Sequence, residues 1–585
     1  MRRTLVVLAL LFSVSAFAGE SENLVALAKV WAYAKYLDPT IESSDVDWDA
    51  AVIRAMPNAR TAKSDDELAH AIDGMLAELH DPATHVVKED EHHPSGGDVP
   101  LFRRDGDVLI VNAGPYVAAH GEASAFAASQ ILAAELLKSK AVVVDLRTGG
   151  DEEVAEDASG VFFNMPGVNV DLAAPARRYT YHSGYAPQSG ATSGGYYSGF
   201  MTIPGTTLHA ARGKAPERWV FVTDDSSQLS EEMLALRNGG KAAIVSSAQI
   251  GDTAGGVVHV FPIAGKWSAR IRVAQLDTAL TADVIDPDPL AAAMPFARGE
   301  KPIPSHDSAA RLPEPGRWKP EATYSASPYP DTEHRLLGAF RLWAVIHYFY
   351  PYLKLIGDWD AAFAKSIPQF IAAQDAPEYA KAAMALDANV EDGHSGVYGR
   401  SVYLAIPAGF LTIDVHYIGS DLVVFDPTSA ADLHKGDVIV SIDGEPIADR
   451  VARLRPYITA STDRARADRV AAVALRGTPN QPATLEVRDA KGARTVSITR
   501  GTSPPRPESK DSTYKLLAPG LGYADLKQLE VVEVDAMFDA FANTKGIILD
   551  MRGYPRGTAW AIAPRINTKS ATVGAQIRRR QITGS

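Results

Sequence analysis

Apolar residues recur at helical spacing near the start of the chain. Leu24, Leu27, Ala28 and Trp31 share one face, with Ser21 placed as an N-cap and Pro39 ending the run. Two more helices are expected over 47–56 and 65–79, so 19–95 reads as a small helical domain. A polar loop, EDEHHPSGGD, follows. From Val99 the period changes. Short apolar runs at 108–111 and 141–144 read as buried strands with a helix over 122–138 between them. Runs at 220–222 and 242–245 flank a helix over 230–237. Alternating strands and helices predict an α/β core over 96–300. Seven prolines fall within 301–330, which reads as a linker.

The pattern then restarts. LAKVWAYAKYLDP at 27–39 matches FRLWAVIHYFYP at 340–351, pairing Trp31 with Trp343, Tyr36 with Tyr348 and Pro39 with Pro351. That match has an offset of 312 positions; DVDWDAA then matches GDWDAA, and Asp81 matches Asp392, at an offset of 311. VVVDLR ending at Arg147 matches IILDMR ending at Arg552, but at an offset of 405. The difference leaves room for one small extra domain, expected over 400–505, between a second helical domain (331–399) and a second core start (506–585). A repeat this long is a duplicated domain set rather than a solenoid. Within 400–505, GDVIVSIDG reads as a strand entering a turn, and 483–487 with 493–498 as a hairpin. The fold class expected is multidomain α/β and α+β: a duplicated helical domain with an α/β core, and one β-rich domain in the second copy.

Composition narrows the function classes. The formal net charge is −13, against a nucleic-acid partner. MRR, the apolar LVVLALLFSV and Ala16-Phe17-Ala18 form a signal-peptide pattern over 1–18, predicting export from a bacterial cell. No later stretch is apolar for long enough to span a bilayer, so no integral membrane segment is expected after signal removal. The chain has no cysteine, which excludes disulfides and thiolate catalysis. Nothing calls for a cofactor.

The arrangement resembles the tail-specific (C-terminal-processing) serine peptidases, in which a helical part, a PDZ domain and an α/β protease core occur together. GDVIVSIDGEPI and LRGTPNQPATLEVRDAKGARTVSITR look like that family's PDZ domain; VVVDLRTGG and IILDMRGYPRG look like its core strand and glycine loop. The resemblance implies a polypeptide or a peptide C-terminus as partner, bound by strand addition with the carboxylate held by loop N–H groups. Gly409, Phe410 and Leu411 are the candidates for that contact, followed by a strand over 411–415. Glycines after the core strand turn backbone N–H groups toward a developing oxyanion; Gly149 and Gly150 are placed there, and Gly553 in the second copy.

The resemblance also implies a serine nucleophile activated by a lysine. In the frame set by the VFV strand and Glu231, the nucleophile position falls on Gln228, and the lysine position falls near Asp252 and Thr253. Ser227 and Lys241 are the nearest candidates. The competing reading makes Ser226, Ser227 and Ser230 turn and cap residues of the following helix, and the first core is expected to have lost its dyad. The second copy's nucleophile position falls beyond Ser585, so the sequence is expected to be a piece of a longer or frameshifted reading frame.

Glu89, Asp90, Glu91, His92 and His93 read as a solvated loop rather than a metal site, and no metal is assigned. His85 and His394 read as packing or helix-end residues. The aromatic, glycine-rich run at 179–200 reads as a long loop or groove wall. Three functions remain: an exported serine peptidase for unfolded or C-terminally exposed polypeptides, its active site missing from this sequence; a non-catalytic peptide-binding or regulatory pseudoprotease; or a hydrolase using Ser227 in an altered arrangement.

Overall fold

The computed structural model describes residues 2–585 apart from 89–94, 122–126, 128–130, 161–169, 188–193, 211–214, 307–315, 325–326, 428–431, 503–511, 568–580 and 584–585. The chain is a mixed α/β multidomain protein with several sheets. It divides into two compact units, Met1–Ala373 with Arg580–Ser585, and Gln374–Arg579. The division falls inside 331–399, which the sequence pattern treats as one domain. No helix among the described residues is long and apolar enough to cross a membrane.

In the first unit, helix Arg2–Leu37 runs straight through Ser21, so that serine caps nothing. It stops before Asp38, which caps the short helix Pro39–Ser43 by accepting from the Thr40 N–H at 2.8 Å. Helices Trp48–Thr61 and Asp65–Leu76 follow. Helices Thr332–Phe349 and Trp359–Ala372 pack against Arg2–Leu37 and Trp48–Thr61 within this unit.

The matching sequence segments have matching local structure. Trp48 Nε1 donates to the Trp31 carbonyl at 2.9 Å, and Trp359 Nε1 donates to the Trp343 carbonyl at 3.1 Å. Asp47 caps Trp48–Thr61 as Asp358 caps Trp359–Ala372. Ser64 caps Asp65–Leu76, and Asp375 caps Ala376–Asp387, each accepting from an N–H three residues on and so satisfying an orphan donor. Both helices then tighten into a 3₁₀ turn ended by a left-handed residue, His80 at φ 53° and Glu391 at φ 54°.

The α/β part of the first unit holds a six-stranded sheet, ordered Val284–Ile285, Ala242–Ser246, Arg218–Thr223, Ala141–Asp145, Val108–Val111, Phe102–Asp105. All neighbours are parallel except the last pair. The inner strands are apolar on both faces because both faces are covered. Val142, Val144 and Phe221 pack toward Met233 and Leu234 of helix Glu231–Asn238. Val143, Val220 and Val222 pack toward Ala293 and Phe296 of helix Pro289–Ala297.

An eight-stranded sheet stands beside it, and two expectations change there. The described ends of the run at 179–200 are strands: their tyrosines, threonine and phenylalanine suit a pleated surface, and they belong to Arg177–Ser183 and Gly194–Ile203, paired antiparallel. The proline-rich 301–330 is not only a linker. Arg317–Pro320 adds a strand to Gly194–Ile203, where Gly195 lets the Lys319 carbonyl approach; a Cβ there would sit 2.1 Å from it.

In the second unit, helix Ala376–Asp387 precedes a β-rich module. Its strands order as Asp414–Ile418, Asp421–Asp426, Val438–Ile442, Pro482–Asp489, Gly492–Thr499. Asp443 (φ 53°) and Gly444 (φ 79°) turn Val438–Ile442 into Glu445–Pro446, the left-handed pair a two-residue hairpin requires. Leu422, Val424, Ile439, Leu485 and Val487 form its core with Ala471 and Leu475. A three-stranded sheet, Tyr514–Ala518, Leu521–Asp525, Gly546–Asp550, and helix Ala559–Ile566 follow. The sheet's antiparallel-then-parallel order is that of Phe102–Asp105, Val108–Val111 and Ala141–Asp145.

Candidate functional site

Parallel strands finish at the same edge of a sheet, and ligand sites collect where their carboxyl ends meet. Asp145 and Val222 are register partners in adjacent parallel strands, and the Leu146 N–H extends the ladder to the Val222 carbonyl at 2.8 Å. The loops after the two strands therefore face each other. The first turns at once. Arg147 bonds back to Asp145 through Nε at 2.8 Å and Nη2 at 2.6 Å. Gly114 packs against this turn; a Cβ there would sit 2.3 Å from the Arg147 carbonyl oxygen. Gly149 and Gly150 then take φ values of 70° and 102°.

The N–H groups of Thr148 and Gly149 converge on one place, and that place is filled by Asp224. Its Oδ2 accepts from the Thr148 N–H at 2.8 Å and the Gly149 N–H at 2.9 Å. Its Oδ1 accepts from the Ser226 N–H, the Ser226 hydroxyl at 2.8 Å and the Ser227 hydroxyl at 2.7 Å. The Gly150 N–H donates to Ser226 Oγ at 3.2 Å, which also meets Thr148 Oγ1 at 2.9 Å. Burial pushes the Asp224 carboxyl up, but these donors outweigh it and hold the group below its ordinary range. Asp224 was missed in the sequence, although an Asp followed by serines just after a strand is the mark of a side-chain-closed turn.

Ser227 is 1 % exposed. Its hydroxyl accepts from the Asp224 N–H at 3.0 Å and is shared between Asp224 Oδ1 and the Leu146 carbonyl. The one base among these partners is the Asp224 carboxylate, which its donors make a weaker proton acceptor than a free aspartate, and no lysine is among them. Lys241 is exposed where the chain enters strand Ala242–Ser246, and its backbone N–H closes on the Leu236 carbonyl. Ser230 is the N-cap of Glu231–Asn238, Gln228 is half-buried, and Asp252 opens a 3₁₀ turn. The first core thus brings Gly149, Gly150 and Ser227 together around a carboxylate, and no lysine is among the partners of Ser227 in the described residues.

In the C-terminal sheet, Arg552 grips Asp550 through Nε at 3.0 Å and Nη2 at 2.5 Å, as Arg147 grips Asp145. Arg552 and the Tyr523 hydroxyl hold the Asp550 carboxyl well below the usual range. Gly553 backs onto the Lys527 side chain.

In the β-rich module, the Gly409 N–H donates to the Gly477 carbonyl at 2.8 Å and the Phe410 N–H to the Gly501 carbonyl at 3.0 Å. The Phe410 ring lies under the Arg476 guanidinium, 4.7 Å away, and Leu411 is buried in the core. Two bridges hold the chain at 409–410, and the regular strand begins at Asp414 rather than at 411. That strand is at the edge of its sheet and packs beside helix Asp463–Ala474. His416 on the strand reaches toward Asp468 on the helix at 3.9 Å and Asp414 at 3.4 Å.

The acidic loop 89–93 lies outside the described residues. His85 Nδ1 bonds the Pro82 carbonyl at 3.0 Å, and His394 is exposed beside Asp392. No group of three or more metal-ligating side chains occurs among the described residues.

No protein-family model matches the chain, and no curated protein matches it. Among solved structures it is similar to a lipoprotein from Streptococcus agalactiae, with 15 % identity, a TM-score of 0.30, and coverage of 48 % of this chain and 97 % of that one. It is similar to mature CPAF in complex with lactacystin, with 14 % identity, a TM-score of 0.28, and coverage of 37 % and 56 %, so this chain spans just over half of that protein. It is also similar to the photosystem II D1 C-terminal processing protease, with 11 % identity, a TM-score of 0.24, and coverage of 47 % and 96 %. TM-scores this low assign neither a fold family nor an activity.

Proposed function

We propose that this is an exported protein of the tail-specific serine peptidase type, acting on unfolded or C-terminally exposed polypeptides. The reading combines the signal-peptide pattern, the duplicated helical segment, a PDZ-like module and two peptidase-like cores. The observation that carries it is the edge strand Asp414–Ile418 beside helix Asp463–Ala474. An edge strand next to a helix offers both a backbone ladder for an extended peptide and a wall for its side chains. Hydrolysis by a Ser/Lys pair would belong to the second core, since no lysine is among the partners of Ser227.

A second reading is favoured by the Asp224 cluster. With Ser227 buried and the Gly149 N–H already bonded to a carboxylate, the first core suits a pseudoprotease that holds polypeptide without cutting it. Incubation with a dye-quenched unfolded protein, together with a binding titration using the same protein unlabelled, separates the two. Binding with turnover supports the peptidase; binding without turnover supports the pseudoprotease. Neither binding nor turnover overturns both.

A further inference from the structure

The Asp224 carboxylate does two different things with its two oxygens. Oδ1 closes a local turn with the Ser226 N–H and the hydroxyls of Ser226 and Ser227. Such a turn is complete with one oxygen. Oδ2 serves no part of it. It accepts from the N–H groups of Thr148 and Gly149, more than seventy positions away in sequence. Successive backbone N–H groups that converge through left-handed residues form a nest, and a nest selects an anion. Gly149 and Gly150 supply that conformation, and a Cβ built at either would meet nothing within 4 Å. The glycines therefore serve backbone conformation rather than tight packing. Asp224 is 8 % exposed, so its side chain fills the nest.

We infer that the 148–150 loop is a carboxylate-binding nest whose occupant is the chain's own Asp224, and that a free carboxylate takes its place once that side chain is removed. The ligand class is a small monoanion: acetate, or the terminal carboxylate of a peptide. In the intact protein the nest is closed by an internal ligand, so the donors that would meet an oxyanion or a peptide terminus are already used. This goes beyond the peptidase reading and does not depend on it, because it concerns the first core alone.

The test uses the full chain and acetate as probe. Asp224→Ala empties the nest, while Asp224→Asn keeps it filled with a neutral group of the same shape. Thermal unfolding is followed against acetate concentration at constant ionic strength, because a ligand that binds only the folded state raises the midpoint saturably. The expected result is a saturable rise of several degrees for Asp224→Ala, with none for the wild type or Asp224→Asn. If Asp224→Ala unfolds without ligand, acetate is expected to restore a cooperative transition. An Asp224→Ala protein indifferent to acetate, or a wild type that responds equally, overturns the inference.

Discussion

Tyr36 and Tyr348 stand ring to ring, their centroids 5.0 Å apart, and they are the same position in the two matching segments. A position that meets its own counterpart marks a local two-fold relationship. The ion pairs around it obey the same rule. Lys29 pairs with Asp360 at 2.6 Å, and their counterparts Arg341 and Asp49 pair with the roles exchanged between segments. The two pairs are not equal in burial. The Lys29 and Asp360 side chains are 30 % and 37 % exposed, whereas Asp49 is 10 % exposed and shares Arg341 with Glu321. Arg341→Leu is expected to cost about 3 kcal/mol, because it leaves buried carboxylates short of a partner. Lys29→Leu is expected to cost under about 1 kcal/mol. Urea unfolding of the two variants measures the difference; equal costs would refute the burial argument.

The matching segments were legible because their signals are local. Trp31 and Trp343, the caps Asp47 and Asp358, and the strands ending in Asp145 and Asp550 are each set by residues within a turn or a strand of one another. Arg177–Ser183 and Gly194–Ile203 were missed because glycine and serine around the tyrosines mimic a loop, while their pairing is fixed by strands far away in sequence. The strand Arg317–Pro320 hid among prolines for the same reason: it sits at the end of its sheet, where a missing N–H costs little. The site was half legible. Gly149 and Gly150 could be read as turning N–H groups inward, but what those groups meet depends on a register between parallel strands that no local pattern reveals.

Two buried groups give the stability an unusual pH dependence. Burial, reinforced by the Asp81 carboxylate, pushes Asp38 up to about 6. The folded state therefore keeps a proton that the unfolded chain releases near its ordinary value of about 4. Stability from this group is full at low pH and is lost as pH rises toward 6, by about 3 kcal/mol for a shift of that size. Asp38→Asn, which can still cap Thr40, should lose this dependence. Urea midpoints at pH 4.5 and 7.5 are expected to show wild type gaining on Asp38→Asn at the lower pH; parallel curves would contradict the assignment.

His182 works in the opposite sense. Burial, with Lys319 and Lys35 nearby, holds the imidazole down at about 3, and its Nδ1 faces Ser198 Oγ at 2.8 Å. The unfolded chain takes up a proton near about 6.5 that the folded ring refuses. Stability from this group is therefore present above about 6.5 and lost as pH falls toward 3. His182→Asn is expected to flatten that acid limb. In the wild type the two residues partly cancel between about pH 4 and 6, so the single variants should diverge there in opposite directions.

Ser227 is a structural hydroxyl by its contacts, so Ser227→Ala should change stability and not turnover. Loss of a buried hydrogen bond to a carboxylate is expected to cost about 2 kcal/mol. Any hydrolysis of an unfolded protein should be the same in Ser227→Ala, Lys241→Ala and wild type. A variant that folds normally yet loses hydrolysis would return Ser227 or Lys241 to catalysis.

The β-rich module makes a prediction about how a peptide is held. The N–H groups of Gly409 and Phe410 are already given to the carbonyls of Gly477 and Gly501, so they are not free to clamp a terminal carboxylate. Strand Asp414–Ile418 has a neighbour on one side only among the described residues, and strand addition there depends on the peptide's own backbone N–H groups. Three versions of one extended peptide distinguish these modes: a free C-terminus, an amidated C-terminus, and alternate backbone nitrogens methylated. By fluorescence anisotropy, the free and amidated forms are expected to bind within about twofold of each other, a difference under about 0.5 kcal/mol. The methylated form should lose binding by about tenfold or more, as each lost ladder bond costs about 1 kcal/mol. A strong preference for the free carboxylate would instead require the Gly409–Gly477 and Phe410–Gly501 bridges to open when peptide arrives.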